Sequence, residues 1–81
     1  MLYKGITLLQ IEYFIAVAKS LNFTDAARNL YVSQPSLSKQ IALLEKQIGV
    51  QLFNRSTRGV RLTPAGAVLY KELGGCSRYY S

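Results

Sequence analysis

The sequence contains no histidine and a single cysteine, Cys76. One cysteine cannot close an internal disulfide, and without a Cys/His cluster there is no ligand set for zinc. No metal and no cofactor is expected, and a reducing compartment is favoured. Acidic residues are scarce as well: four Asp and Glu stand against ten Lys and Arg, for a formal net charge of +6. Long apolar runs are missing. Nothing approaches the ~20 apolar residues of a membrane span. The start, Met1 to Gly5, has neither the apolar stretch nor the small-residue cleavage site of a secretion signal. The expectation is a cytoplasmic protein with no membrane partner. Asn22-Phe23-Thr24 and Asn54-Arg55-Ser56 match the glycosylation sequon, which without secretion is a chance match.

What is present fits one small folded domain. The chain has 81 residues, of which 49% are hydrophobic, with three Phe and six Tyr. That is ample for one core and too short for two domains, and the aromatics argue against disorder. The basic excess points to a polyanion, either nucleic acid or an anionic membrane surface. Composition does not choose between them.

Four helical patterns and one hairpin pattern follow each other along the chain. The first helix is expected from about Leu8 to Lys19, capped by Thr7, with Leu8, Ile11, Phe14, Ile15 and Ala18 forming one apolar stripe. A short second helix, from about Thr24 to Leu30, takes its cap from Asn22 or Thr24. Its small Ala26 and Ala27 let another helix approach closely. The third helix runs from about Gln34 to Ile48. Ser33 is its N-cap, Pro35 sits in the first turn where a missing N–H costs nothing, and Gly49 stops it. Leu37, Ile41, Leu44 and Ile48 share one face, and Pro35, Lys39, Ala42 and Lys46 lie opposite. The core is expected to hold Leu8, Ile11, Phe14, Leu37, Ile41, Leu44 and Leu52, with Tyr13, Tyr31 and Phe53 as packing residues rather than base-stacking platforms.

Val50 to Arg55, the turn-rich Ser56-Thr57-Arg58-Gly59, and Val60 to Thr63 read as a β-hairpin carrying Arg55, Arg58 and Arg61. Strand alternation turns Arg61 away from the face of Arg55. Thr63-Pro64 opens a fourth helix with Ala65, Leu69 and Leu73 on one side, which Gly74-Gly75 ends. Cys76 to Ser81 have no periodicity and read as a frayed, disordered tail.

This order is that of a mainly α winged helix-turn-helix: a three-helix core, a two-stranded β-hairpin wing and the start of a linker helix. A helix entering the major groove presents its N-terminal end, where short polar and forked side chains read base edges. Ser33, Gln34, Pro35, Ser36, Ser38 and Lys39 occupy that end. Gln34 can pair with adenine in two bonds and Lys39 can donate to guanine. Hydroxyls and free N–H groups at helix starts suit phosphates, so Ser33 is a cap first and a phosphate contact second. The basic hairpin would follow the backbone or dip an arginine into the minor groove.

Over about Ile6 to Leu73 the chain resembles the N-terminal DNA-binding domain of LysR-type transcriptional regulators. Leu8-Leu9-Gln10-Ile11-Glu12-Tyr13-Phe14 and Phe23-Thr24-Asp25-Ala26-Ala27 look like the family's opening. Val32-Ser33-Gln34-Pro35-Ser36-Leu37-Ser38-Lys39-Gln40-Ile41 is similar to its recognition helix, and Leu62-Thr63-Pro64-Ala65-Gly66 to its hairpin exit. The resemblance implies base reading by Gln34, Pro35 and Lys39. It implies phosphate contacts by Thr24, Ser36 and Ser38, and backbone or minor-groove contacts by Arg55 and Arg58. Arg is commoner in the family where Lys39 stands here, and Lys lacks the planar fork that grips guanine.

The expected organisation is a winged helix-turn-helix over residues 1–63, followed by a truncated linker helix and tail over residues 64–81. The family's effector-binding domain is absent from this reading, and no small-molecule effector site is expected. The resemblance also implies a homodimer through the fourth helix. Here Ala65, Val68, Leu69 and Leu73 would form a short seam, extended by Tyr13 and Ile15, and the dimer is expected to be weak.

The leading function is sequence-specific binding of double-stranded DNA in transcriptional regulation, without catalysis. A second reading is a truncated regulator that mainly pairs with full-length partners. A third, a basic membrane-surface binder, is disfavoured because the charges cluster at the third helix start and the hairpin. Ser36-Leu37-Ser38-Lys39 also fits the S-x-x-K nucleophile motif, but its companion motifs are missing and the chain is too short for such an enzyme.

Overall fold

Caps fix where each helix begins, and the computed structural model, which describes residues 5–74, places them largely as the sequence predicts. Helix α1 spans Leu8–Ser20, α2 Phe23–Leu30 and α3 Gln34–Ile48; strands β1 Phe53–Ser56 and β2 Gly59–Leu62 follow, then α4 Pro64–Glu72. Thr7 and Gln10 cap α1 reciprocally: Gln10 N–H donates to Thr7 Oγ1 (3.1 Å) and Thr7 N–H to Gln10 Oε1 (3.0 Å). Asn22, not Thr24, caps α2, accepting from Asp25 N–H at 2.9 Å. Ser33 accepts from Ser36 N–H at the start of α3, and Thr63 from Gly66 N–H at the start of α4. Each such cap is worth about 1 kcal/mol.

The helix ends are less ordinary. Gly49 closes α3 at φ 92°, a left-handed conformation that costs glycine nothing. Leu21 and Tyr31 close α1 and α2 in the same region, at φ 51° and 59°, where a side chain is strained. After α4, Gly74 takes φ 81°, in line with the expected stop. The readings made for Met1 to Lys4 and for Gly75 to Ser81 lie outside the described residues.

Helices α1, α2 and α3 pack on one another around Phe14, Val17, Leu37, Ile41 and Leu44, all fully buried. Burying a side chain of this size stabilises by about 1.5–3 kcal/mol. The α3 stripe lies as expected, with Ile48 half-buried at its end. Ile11, Phe14 and Leu52 are also in the core.

Leu8 is not: it is 71% exposed. The buried face of α1 is rotated from the expected stripe toward Gln10, Tyr13 and Val17. Gln10 tolerates burial because its amide serves the Thr7 cap and also donates to Gln40 Oε1 at 3.4 Å. Leu8 and Ile15 thereby lie on or near the outer side of the helix, and Ile15 is half-buried. Tyr13 joins the core, as expected for packing, and is therefore not free to extend a dimer seam.

Tyr31 corrects another expectation. It is 95% exposed rather than packed. The turn from α2 to α3 sends Leu30 and Val32 toward the core on either side of it, and the left-handed Tyr31 is the residue that faces outward.

The hairpin is shorter than the apolar run before it suggests. Val50 to Leu52 form a connection rather than a strand, because Glu45 of α3 gathers the backbone there. Its Oε2 accepts from Leu52 N–H (2.7 Å) and Phe53 N–H (3.1 Å). The strands pair antiparallel, Phe53 with Leu62, Asn54 with Arg61, Arg55 with Val60 and Ser56 with Gly59. Thr57 and Arg58 make the turn and Gly59, at φ 119°, absorbs the left-handed step.

Helix α4 is anchored by Gly66 and Tyr70 rather than by Ala65, Leu69 and Leu73, which are only half-buried. A Cβ on Gly66 would overlap the Leu52 carbonyl oxygen, so only glycine permits this approach. With the helix this close, Tyr70 reaches the core. Among the described residues, no helix is long and apolar enough to cross a membrane.

Candidate nucleic-acid interface

The first turn of α3 owes its exposure to the same pattern that buries Leu37. With one face of the helix in the core, the residues on either side of Leu37 must face outward. Ser33, Pro35, Ser36 and Lys39 are exposed, and Gln34 and Ser38 are half-buried. The early N–H groups of a helix lack intrahelical partners and carry partial positive charge. Here Ser33 Oγ takes one of them, from Ser36, and itself donates to Ser36 Oγ at 2.9 Å. Gln34 Nε2 donates to Ser38 Oγ at 2.9 Å, one helical turn on. The expected polar contacts are thus already held in pairs, which limits their rotamers before any ligand arrives. The bond also fixes the Gln34 amide so that its second N–H and its carbonyl oxygen remain for an outside partner.

Ser36 and Lys39, which match the S-x-x-K spacing, lie on this same exposed turn, and the Ser36 hydroxyl is engaged with Ser33. The pair is part of a helix start.

Thr24 is exposed in the first turn of α2. The wing supplies the other candidates. Arg55 and Arg58 are exposed, Arg58 in the turn of the hairpin, where its backbone N–H donates to Ser56 Oγ at 3.2 Å. The register puts Arg55 opposite Val60 and Arg61 opposite Asn54, so Arg55 and Arg61 lie on different faces, as alternation predicts. The guanidinium of Arg55 lies over the Phe23 ring, 3.8 Å from its centroid. That contact ties the wing to the first turn of α2, beside Thr24.

Of the expected site residues, then, the structure joins Ser33 with Ser36, Gln34 with Ser38, and Arg55 with the neighbourhood of Thr24. Pro35 and Lys39 stand alone on the surface of α3, and Arg58 at the hairpin tip. The wing from Phe53 to Leu62 has three arginines and no acidic residue, and α3 has no acid before Glu45. Both surfaces therefore attract anions without a neutralising partner of their own.

Two supporting residues escaped the sequence reading. Glu45 ties the start of the wing to α3 through the Leu52 and Phe53 N–H groups. A signal for it was present: a carboxylate near a helix C-terminus opposes the helix dipole, and its position is explained when it has dedicated donors. Phe23 is the second. Nothing in its local pattern distinguishes it from any buried residue at a helix start, and only the fold brings Arg55 onto its ring.

A family pattern described as the bacterial regulatory helix-turn-helix protein of the lysR family matches residues 8–67. The Hca operon transcriptional activator HcaR of Escherichia coli is 56% identical over 65 residues, covering 80% of this chain and 22% of that protein. The HTH-type transcriptional regulator BudR of Klebsiella aerogenes is 52% identical over 62 residues, covering 76% of this chain and 43% of that protein. The chain thus spans less than half the length of these relatives. Among solved structures, the CbnR DNA-binding domain in its complex with DNA superposes with a TM-score of 0.78 at 41% identity, covering 93% of both chains.

Proposed function

The chain belongs to the lysR family of bacterial regulatory helix-turn-helix proteins, whose winged helix-turn-helix binds DNA in transcription regulation, and from that premise we propose how this one reads its site. Helix α3 enters the major groove by its first turn. Gln34 and Lys39 address base edges there, Gln34 by the two-bond amide contact that suits adenine and Lys39 by donation to guanine. Pro35 lies against the groove floor. Thr24, Ser36 and Ser38 hold phosphates through hydroxyls, with Ser33 contributing next to its cap, and Arg55 and Arg58 bring the wing to the backbone or the minor groove.

The observation that carries this reading is the pre-bonded pair of Gln34 and Ser38 at the outward-facing start of a helix whose opposite face is in the core. The bond leaves the second amide N–H and the carbonyl oxygen of Gln34 for an outside partner. The rival reading, a truncated regulator working chiefly through partner proteins, finds no support among the relatives. Those are transcriptional regulators, in keeping with a non-catalytic role, and a cytoplasmic location suits such a role.

We further propose that two domains pair weakly through α4 when DNA brings them together. Val68 is 61% exposed and Val50 44% exposed, and with Ile48, Ala65 and Leu69 they line an apolar groove between α4 and the end of α3. A helix of nine residues buries little, while association costs several kcal/mol of lost freedom. Sedimentation of the free 81-residue chain at about 1 µM, near which weak interfaces dissociate, is expected to show monomer; a clean dimer would contradict the weak seam.

The reading of DNA is tested by selection. Wild-type protein incubated with a randomised duplex pool is expected to enrich one sequence family. Recovery of unselected sequence, with retention no better than that of a scrambled competitor, would count against base reading by α3.

A further inference from the structure

We propose that Phe23 is a positioning residue for DNA binding: its ring face holds the Arg55 guanidinium and so sets where the wing's cation meets the phosphate backbone. The inference rests on the DNA reading above and adds a residue that does not itself touch DNA.

The geometry is that of a pinned cation. Arg55 Cζ stands 3.8 Å from the Phe23 ring centroid, well inside the ~6 Å reach of a cation–π contact. The ring cannot swing away. Phe23 is buried, and Phe53 meets it at 5.8 Å between centroids and 75° between planes. Phe53 in turn rests on Phe14 at 5.3 Å, and Phe14 on Tyr70 of α4 at 6.3 Å. Phe53 and Arg55 lie two apart on β1, so both project from the same face of the strand. The strand therefore delivers one apolar and one cationic side chain to a single ring. Phe23 is also the first residue of α2, next to Thr24, so the pin joins the wing to a second expected phosphate contact.

The chemistry of the partner distinguishes this from ordinary anchoring. A carboxylate would neutralise the guanidinium and occupy its donors. A ring face does neither: it carries no negative charge and offers no acceptor oxygen to occupy the five N–H donors of arginine. Among the described residues Arg55 has no carboxylate partner: the nearby exposed Asp25 is held by Arg28 at 3.3 Å, and the contact given for the Arg55 guanidinium is the ring. A fixed cation with unspent donors is what a phosphate-binding group needs, because less freedom is lost on binding.

The test is a double-mutant cycle in duplex affinity, using the full 81-residue chain and the duplex that wild-type protein selects, with a thermal melt of every variant. Phe23→Leu keeps a buried apolar side chain and removes the ring. It is expected to weaken binding about twofold to fivefold in the wild-type background, the range of an exposed cation–π contact. In the Arg55→Ala background the same change is expected to leave affinity unaltered, although its cost to thermal stability persists in both. Phe23→Tyr, which keeps the ring face, is expected to bind like wild type. A Phe23→Leu effect of equal size with and without Arg55, or no effect in either, overturns the proposal. So does a Phe23→Tyr variant that melts like wild type but binds as weakly as Phe23→Leu. Failure of wild-type protein to select any duplex would instead overturn the DNA reading itself, and the inference with it.

Discussion

The two halves of α3 are built for different tasks. From Ile41 onward the helix makes long-range contacts: Ile41 and Leu44 are fully buried, and Glu45 spends its carboxylate on the backbone of the wing. In the first turn only Leu37 is buried, and the polar groups around it bond to one another and to no distant element. One half fixes the fold, and the other is presented by it. Substitutions at Ile41 or Leu44 should therefore act on stability, and those at the polar residues of the first turn on binding.

The largest expected effect breaks the half that fixes the fold. Ile41→Ala removes a fully buried side chain and should cost about 2–5 kcal/mol. That is a large share of the total for so small a domain. Thermal melting measures it, and a midpoint unchanged within a few degrees would mean that the core face of α3 is misplaced.

The next effect belongs to the presented half. Gln34→Ala should leave the melt nearly unchanged yet cost about 1–3 kcal/mol at the selected site, with relaxed preference at one base step. Arg58→Ala, in the wing, should weaken all duplexes alike and reduce the salt dependence by roughly one phosphate's worth. Competition binding with selected and scrambled duplexes distinguishes the two; equal losses on both duplexes for Gln34→Ala would refute direct reading by that side chain.

The smallest effect sharpens the boundary between the halves. Tyr31 lies just ahead of the Ser33 cap, exposed and in a left-handed conformation that asparagine adopts more readily. Tyr31→Asn should stabilise by up to about 1 kcal/mol, visible as a small rise in melting temperature. If stability rises while duplex affinity falls, the exposed ring belongs to the binding surface as well as to the turn.

The same contrast explains how much could be read from the sequence. Helix α3 was fully legible because its signals are local: the Ser33 cap, Pro35 in the first turn and the Gly49 stop each act within a few residues. The hairpin turn was legible for the same reason. For helix α1 the ends and most of the stripe are legible, since Ile11, Phe14 and Ala18 are buried, but Leu8 is not. Its apolar pattern allows Leu8 inside, and the choice of Gln10 instead depends on Gln40, thirty residues away. In helix α4 the Ala65–Leu69–Leu73 line packs partly against the core, and Gly66 and Tyr70 are what sequence does not single out. Gly66 lies against a carbonyl of a distant loop and carries Tyr70 inward with it.

The site divides in the same way. The polar start of α3 is legible in sequence, because the Ser33 cap and the outward positions beside Leu37 follow from local pattern. The contact between Arg55 and Phe23 is not, since strand register and helix packing must both be known before one is found above the other. Glu45 likewise gains its meaning only when the chain returns to it after Gly49.

Duplex affinity must depend steeply on salt if the start of α3 and the wing meet a DNA backbone. If about four to six phosphates are neutralised per bound domain, the logarithm of the association constant should fall against the logarithm of salt with a slope of roughly −4 to −5. Over about 50 to 200 mM salt a slope of that size lowers affinity by more than two orders of magnitude. An affinity that barely changes across that range, or one matched by binding to anionic vesicles, would contradict the account.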